Sequence, residues 1–63
     1  MSDWGQLVGK QAEEAKAIIL KDMPDADVQI LPQGSPVTFD YRFNRVRVFV
    51  DSQNKVAEQP HIG

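Results

Sequence analysis

The stretch Arg45-Val46-Arg47-Val48-Phe49-Val50-Asp51 alternates with a period of two. In an extended chain successive side chains point to opposite faces, so Val46, Val48 and Val50 share one face while Arg45 and Arg47 share the other. The valine face is the one fit for a core. Upstream, Val28 and Ile30 alternate with Asp27 and Gln29 and run into Leu31-Pro32, which predicts a second strand ending at the proline. Twelve residues, Gln33 to Asn44, separate the two strands, a long connection for so small a protein. They carry Pro36, Val37 and Thr38, then Phe39, Tyr41 and Phe43 alternating with Asp40, Arg42 and Asn44. On alternation alone this segment reads as a third, edge strand.

Farther out, Ala12, Ala15, Ile19 and Met23 recur at spacings of three and four, which predicts a core-facing helix over about 12–23. Glu13 and Glu14 fall in its first turn and Lys21 near its last, the arrangement the macrodipole favours, and Pro24 ends it. Gln11 stands at the N-cap, where Gln serves poorly, so a cap worth about 1 kcal/mol is missing. After the second strand, Ser52-Gln53-Asn54 predicts a turn into an extended segment around Val56-Ala57, and the chain closes with Pro60-His61-Ile62-Gly63. No internal repeat is present.

With 63 residues, 41% of them hydrophobic, the chain is expected to form a single domain over 1–63. A domain of this size buries only about 60% of its unfolded surface, so its stability margin is thin. There is no cysteine, hence neither a disulfide nor a thiolate zinc site to supplement the core. Seven Lys and Arg against nine Asp and Glu leave a net charge of −2, which provides no global field for nucleic acid or anionic membrane. The longest apolar runs, Ala17–Leu20 and Val48–Val50, fall far short of the roughly 18 residues a spanning helix needs. Met1-Ser2-Asp3-Trp4 lacks the basic and then apolar pattern of a signal peptide, so a mature or cytosolic form is expected.

Candidate chemistry is sparse. The single histidine, His61, lies beside a proline near the end, and Ser2, Ser35 and Ser52 sit in no nucleophile-elbow context. Neither an enzyme nor a metal or cofactor site is expected from so few groups. Adjacent helical residues point about 100° apart, so Glu13 and Glu14 read as a solvated first turn rather than an acid/base pair. Trp4 reads as a packing anchor. Arg42, Arg45 and Arg47 with Tyr41, Phe43 and Phe49 suggest a single-strand nucleic-acid surface, where bases stack on aromatics. Against that stand the net charge and Asp40 in the middle of the patch.

The run from Ser35-Pro36-Val37-Thr38-Phe39-Asp40-Tyr41-Arg42-Phe43-Asn44 through Arg45-Val46-Arg47-Val48-Phe49-Val50 resembles the reactive-site loop and following strand of the potato inhibitor I family. These are serine-protease inhibitors that include eglin c and the cereal-seed chymotrypsin and subtilisin inhibitors. Leu7-Val8-Gly9-Lys10, Glu13-Glu14-Ala15-Lys16, Ile30-Leu31-Pro32 and Pro60-His61-Ile62-Gly63 extend the likeness over nearly the whole chain, with the cereal-seed branch looking nearest. The resemblance departs at Trp4-Gly5, where the family has Trp-Pro, and at the weak cap Gln11.

The resemblance implies an α+β fold: a small twisted mixed sheet, one helix packed on it, and an exposed loop over about 33–44 joining two parallel strands. This supersedes the edge-strand reading and accounts for the loop length, since parallel neighbours cannot be joined by a tight turn. It implies that Phe39 is the P1 residue and Phe39-Asp40 the bond offered to the protease. Pro36, Val37 and Thr38 would lie on the non-primed side, Tyr41 and Arg42 on the primed side. Chymotrypsin-like and subtilisin-like enzymes are the expected partners and trypsin a poor one, with the inhibitor a monomer that binds neither nucleic acid nor membrane. Arg45 and Arg47 would reach beneath the loop to Thr38 and Asp40, with the Gly63 carboxylate packed near them. The resemblance also suggests a plant seed, or a secreted or vacuolar location.

Overall fold

The computed structural model describes residues 4–63. Met1, Ser2 and Asp3, and with them the reading of the amino end and the Ser2 hydroxyl, lie outside the described residues. A 3-10 helix, Trp4–Leu7, comes first and was not foreseen from the sequence. It drops Leu7 into the core and sets Trp4 half-buried against it, with the indole Nε1 donating to Asp22 Oδ2 at 3.0 Å.

Helix α1, Ala12–Asp22, buries Ala12, Ala15 and Ile19 and ends at Met23, one residue short of Pro24. Its start explains how the poor cap is tolerated. Gln11 takes the extended backbone of an N-cap but makes no side-chain cap bond. The Ala12 N–H instead donates to the Asn54 carbonyl at 3.0 Å, so a distant turn satisfies one of the unpaired amides of the first turn. That turn is itself tied down, because Asp51 Oδ1 accepts from the Gln53 and Lys55 N–H groups at 2.8 and 3.0 Å. Asn54 adopts φ 63° there, a left-handed conformation that asparagine tolerates.

Strand β1, Asp27–Pro32, pairs in parallel with β2, Arg45–Val50, in a register running from Asp27 opposite Arg45 to Pro32 opposite Val50. Strand β3, His61–Ile62, pairs antiparallel on the other edge of β2, giving the order β1-β2-β3. The valines of β2 meet Leu7, Ile19 and Val56 in the core, with Val28 and Ile30 of β1 packed alongside.

Residues 33–44 contain no strand, in line with the loop expected there, and the alternation of Phe39, Tyr41 and Phe43 marks no ladder. One expectation needs correcting. The segment around Val56-Ala57 makes only single bridges, Gln11 to Lys55 and Val50 to Val56, and the last strand lies later, at His61–Ile62. Val56 is nonetheless buried, because its N–H and C=O are taken up by Lys10 and Gly9 and its side chain is free to point inward.

Candidate functional site

Pro32 ends β1, and the chain turns at once into the long connection. The Ser35 N–H and hydroxyl both donate to the Pro32 carbonyl, at 3.1 and 2.6 Å, with Gly34 at φ +84°. A side chain at Gly34 would have open space, so it is the backbone conformation that calls for glycine. At the other end the Arg45 N–H donates to the Arg42 carbonyl at 3.2 Å, and Asn44 C=O accepts from Asp27 N–H at 2.8 Å. Both limbs of the connection are therefore held to the strands they join.

Between these anchors Phe39 projects fully into solvent, at 101% of its reference exposure. Its two neighbours do not move freely with it. Arg47 Nη2 donates to the Thr38 carbonyl at 3.1 Å and to Thr38 Oγ1 at 3.0 Å. Arg45 Nη2 donates to the Asp40 carbonyl, and Arg45 Nη1 lies 3.4 Å from Asp40 Oδ2. The two residues flanking Phe39 are thus each held by an arginine of β2, Thr38 by Arg47 and Asp40 by Arg45.

The neighbouring Thr38 hydroxyl, then Asp40's own backbone amide and the Arg45 guanidinium, hold the Asp40 carboxyl below its ordinary value. Arg45 is only 4% exposed although it sits on the strand face opposite the core. Its burial comes from the loop and the chain end, since Nε also donates to the Gly63 main-chain oxygen at 2.6 Å and the Gly63 N–H donates back to Arg45 C=O at 2.8 Å. A methyl group on Gly63 would lie 3.8 Å from Cδ1 of Tyr41, so the Tyr41 ring rests over this terminus while remaining 72% exposed.

Of the other residues singled out, Pro36 and Arg42 are exposed and Val37 half-buried. Phe43 stands 78% exposed on the return limb, a feature that the edge-strand alternation masked. His61 is exposed within β3, and Glu13 and Glu14 are exposed, with Glu14 3.8 Å from Lys10 Nζ. Among the described residues no group of three His, Cys, Asp or Glu could hold a metal ion. An open cleft of about 520 Å³ lies between Trp4, Met23, Pro60 and Ile62, and no residue of 33–44 lines it.

The family model of the potato inhibitor I family matches residues 1–63. A chymotrypsin inhibitor of Lumbricus terrestris is 52% identical over 62 residues, 98% of this chain and 72% of that protein. A subtilisin-chymotrypsin inhibitor of Hordeum vulgare is 37% identical over 62 residues, 98% of this chain and 80% of that protein. The earthworm protein is thus more similar than this cereal one, against the expected branch. The crystal structure of bitter gourd trypsin inhibitor superposes with a TM-score of 0.92 at 43% identity, covering 100% of this chain and 93% of that one.

Proposed function

The chain belongs to the potato inhibitor I family, whose members here are protease inhibitors rather than enzymes, and we propose that it inhibits serine proteases by offering Phe39 as P1 and Phe39-Asp40 as the reactive bond. Residues 1–63 act as one inhibitor domain and as a monomer. Pro36, Val37 and Thr38 lie along the non-primed side of the enzyme as an added extended segment, with Tyr41 and Arg42 on the primed side. The observation that carries this reading is a fully exposed Phe39 whose two neighbours are both bonded to arginines of β2.

A loop ordered before it binds avoids much of the cost of about 0.5–1.5 kcal/mol per immobilised side chain. The same bonds hold the Asp40 side of the bond in place after acylation, so the new amine stays within reach and the bond can re-form. An aromatic P1 suits a deep apolar pocket. Chymotrypsin-like and subtilisin-like enzymes are therefore the targets, whereas trypsin would have its S1 carboxylate desolvated without a cationic partner. Relatives named for chymotrypsin, subtilisin and trypsin all occur, which fits a shared frame with a variable P1. The nucleic-acid reading is weaker on this geometry, because Arg45 and Arg47 are engaged inside the chain.

The test is a titration of chymotrypsin and subtilisin with this protein, followed by mass spectrometry after long incubation. Stoichiometric loss of activity with slow cleavage only between Phe39 and Asp40 is the expected result. Rapid cleavage at several bonds without inhibition would overturn the reading.

A further inference from the structure

The open cleft bordered by Trp4, Met23, Pro60 and Ile62 stands apart from the loop, and nothing in the inhibitor reading uses it. Its volume, about 520 Å³, lies within the range of about 300–1,000 Å³ that small-molecule sites occupy. Trp4 and Met23 are half-buried against the core and also border the cleft. Ile62 remains 42% exposed there, and Pro60 is buried. Such walls suit the apolar body of a small ligand.

The charge at the rim narrows the ligand further. Asp22 also borders the cleft and is the last residue of α1, so its carboxylate adds to the negative pole that the helix presents at that end. A helix favours a cation in its last turn, as with Lys21 here, but Lys21 does not border the cleft. The bond to Trp4 gives the carboxylate one function, because Oδ2 accepts from the indole Nε1 at 3.0 Å and so fixes the ring beside the charge. A carboxylate can accept several hydrogen bonds, and an indole is the aromatic group that attracts a cation best. Negative charge, a helix C-terminus and an indole thus converge on an apolar cleft that no lysine or arginine borders among the described residues, where His61 is the other ionisable group.

We infer that the cleft binds a small organic cation, an ammonium group carried on an aromatic or alkyl body, with the ammonium at Asp22 and the body between Trp4, Met23 and Ile62. The site is separate from the reactive bond, since Phe39 and the residues flanking it lie outside the cleft. Trp4 reports on it directly, being the only tryptophan of the chain.

The experiment follows Trp4 emission while the protein is titrated with phenethylamine, and with phenethyl alcohol and hydrocinnamate as neutral and anionic analogues of similar shape. A saturable change with the amine is expected in the millimolar range, with the alcohol bound about tenfold more weakly and hydrocinnamate showing no saturation. Asp22→Asn keeps an oxygen for the indole N–H and is expected to weaken the amine about tenfold, to the level of the alcohol. Thermal unfolding checks that this variant folds. Salt at about 0.5 M supplies the same answer in the wild-type protein, by narrowing the gap between amine and alcohol. The inference is overturned by no saturable change with the amine, by equal affinity for the three compounds, or by a folded Asp22→Asn variant that binds the amine as before. Amine binding that shows only once residues 1–3 are removed assigns the cleft to the chain's own end, and emission that shifts with protein concentration alone assigns it to a second copy. Either result overturns the inference as well.

Discussion

Arg45 and Arg47 are two residues apart on one strand face, yet their surroundings give them different work. Arg45 is buried and serves both the Asp40 carbonyl and the Gly63 oxygen, so Arg45→Ala leaves two acceptors without their charged donor. A loss on the order of 2–3 kcal/mol is expected in a urea midpoint measurement. Arg47 is more exposed and among the described residues its guanidinium bonds Thr38, so Arg47→Ala is expected to cost less than about 1 kcal/mol. Its effect should show instead in hydrolysis, with cleavage at Phe39-Asp40 accelerated because the Thr38 side of the bond is released. Equal cleavage rates for Arg47→Ala and wild type would remove Arg47 from loop support. Asp40 adds a pH dependence. Its folded carboxyl titrates below the ordinary 3.8, so the ionised form is favoured by the fold. That contribution is complete above about 3.8 and is lost as pH falls through the lowered value. Loop protection from cleavage should fall in this acid window, and Asp40→Asn should abolish the change. Asp51 is lowered for a different reason, the N–H groups of Lys55 and Gln53, and contributes to global stability in the same window. Loop cleavage, read against overall unfolding, separates the two carboxylates.

At the scale of elements, legibility tracked how much of an element's burial its own sequence determines. The valines of β2 and the Ala12, Ala15, Ile19 stripe of α1 face the core at the period their geometry requires, so both elements stand where their patterns put them. The loop misleads by the same logic, since exposed residues can alternate without any partner strand, and only likeness to a known family separated the two cases. Strand β3 is two residues long and exists through its pairing with Val46 and Arg47, which no local pattern announces. The 3-10 helix at Trp4–Leu7 is likewise set by where Leu7 and Trp4 must pack. Within the site, the reach of Arg45 to Asp40 follows from strand alternation plus family likeness, whereas the Tyr41 ring over Gly63 joins residues 22 positions apart and has no local signature. The cap of α1 yields a prediction at this scale. Gln11 already has the extended backbone of an N-cap, with φ −62° and ψ 144°, and its side chain is exposed and makes no cap bond. Gln11→Asp supplies an acceptor for a free first-turn amide and should stabilise the protein by about 1 kcal/mol without altering inhibition. An unchanged unfolding midpoint would mean that the Asn54 carbonyl already does what a cap can do there.

For the molecule as a whole, the core and the support of the loop are built from separate sets of residues. Valines, alanines and Ile19 hold the helix to the sheet, while the loop is stiffened by arginine bonds that a disulfide could not replace in a chain without cysteine. Phe39 belongs to neither set, because it is fully exposed and its neighbours carry the bonds. Specificity should therefore be exchangeable without disturbing the fold. In Phe39→Arg the guanidinium is offered to the S1 carboxylate of trypsin, whose desolvation is then compensated by a bonded charge pair. Truncating one member of a buried charge pair of this kind costs about 2–5 kcal/mol, so trypsin inhibition should strengthen by more than about thirtyfold, with a comparable loss on chymotrypsin as the charge enters an apolar pocket. Thermal unfolding should coincide with that of the wild type. If Phe39→Arg instead lowers the midpoint by several degrees, Phe39 takes part in ordering the loop in the free protein, and exposure alone is not a sound guide to which loop residues can be exchanged.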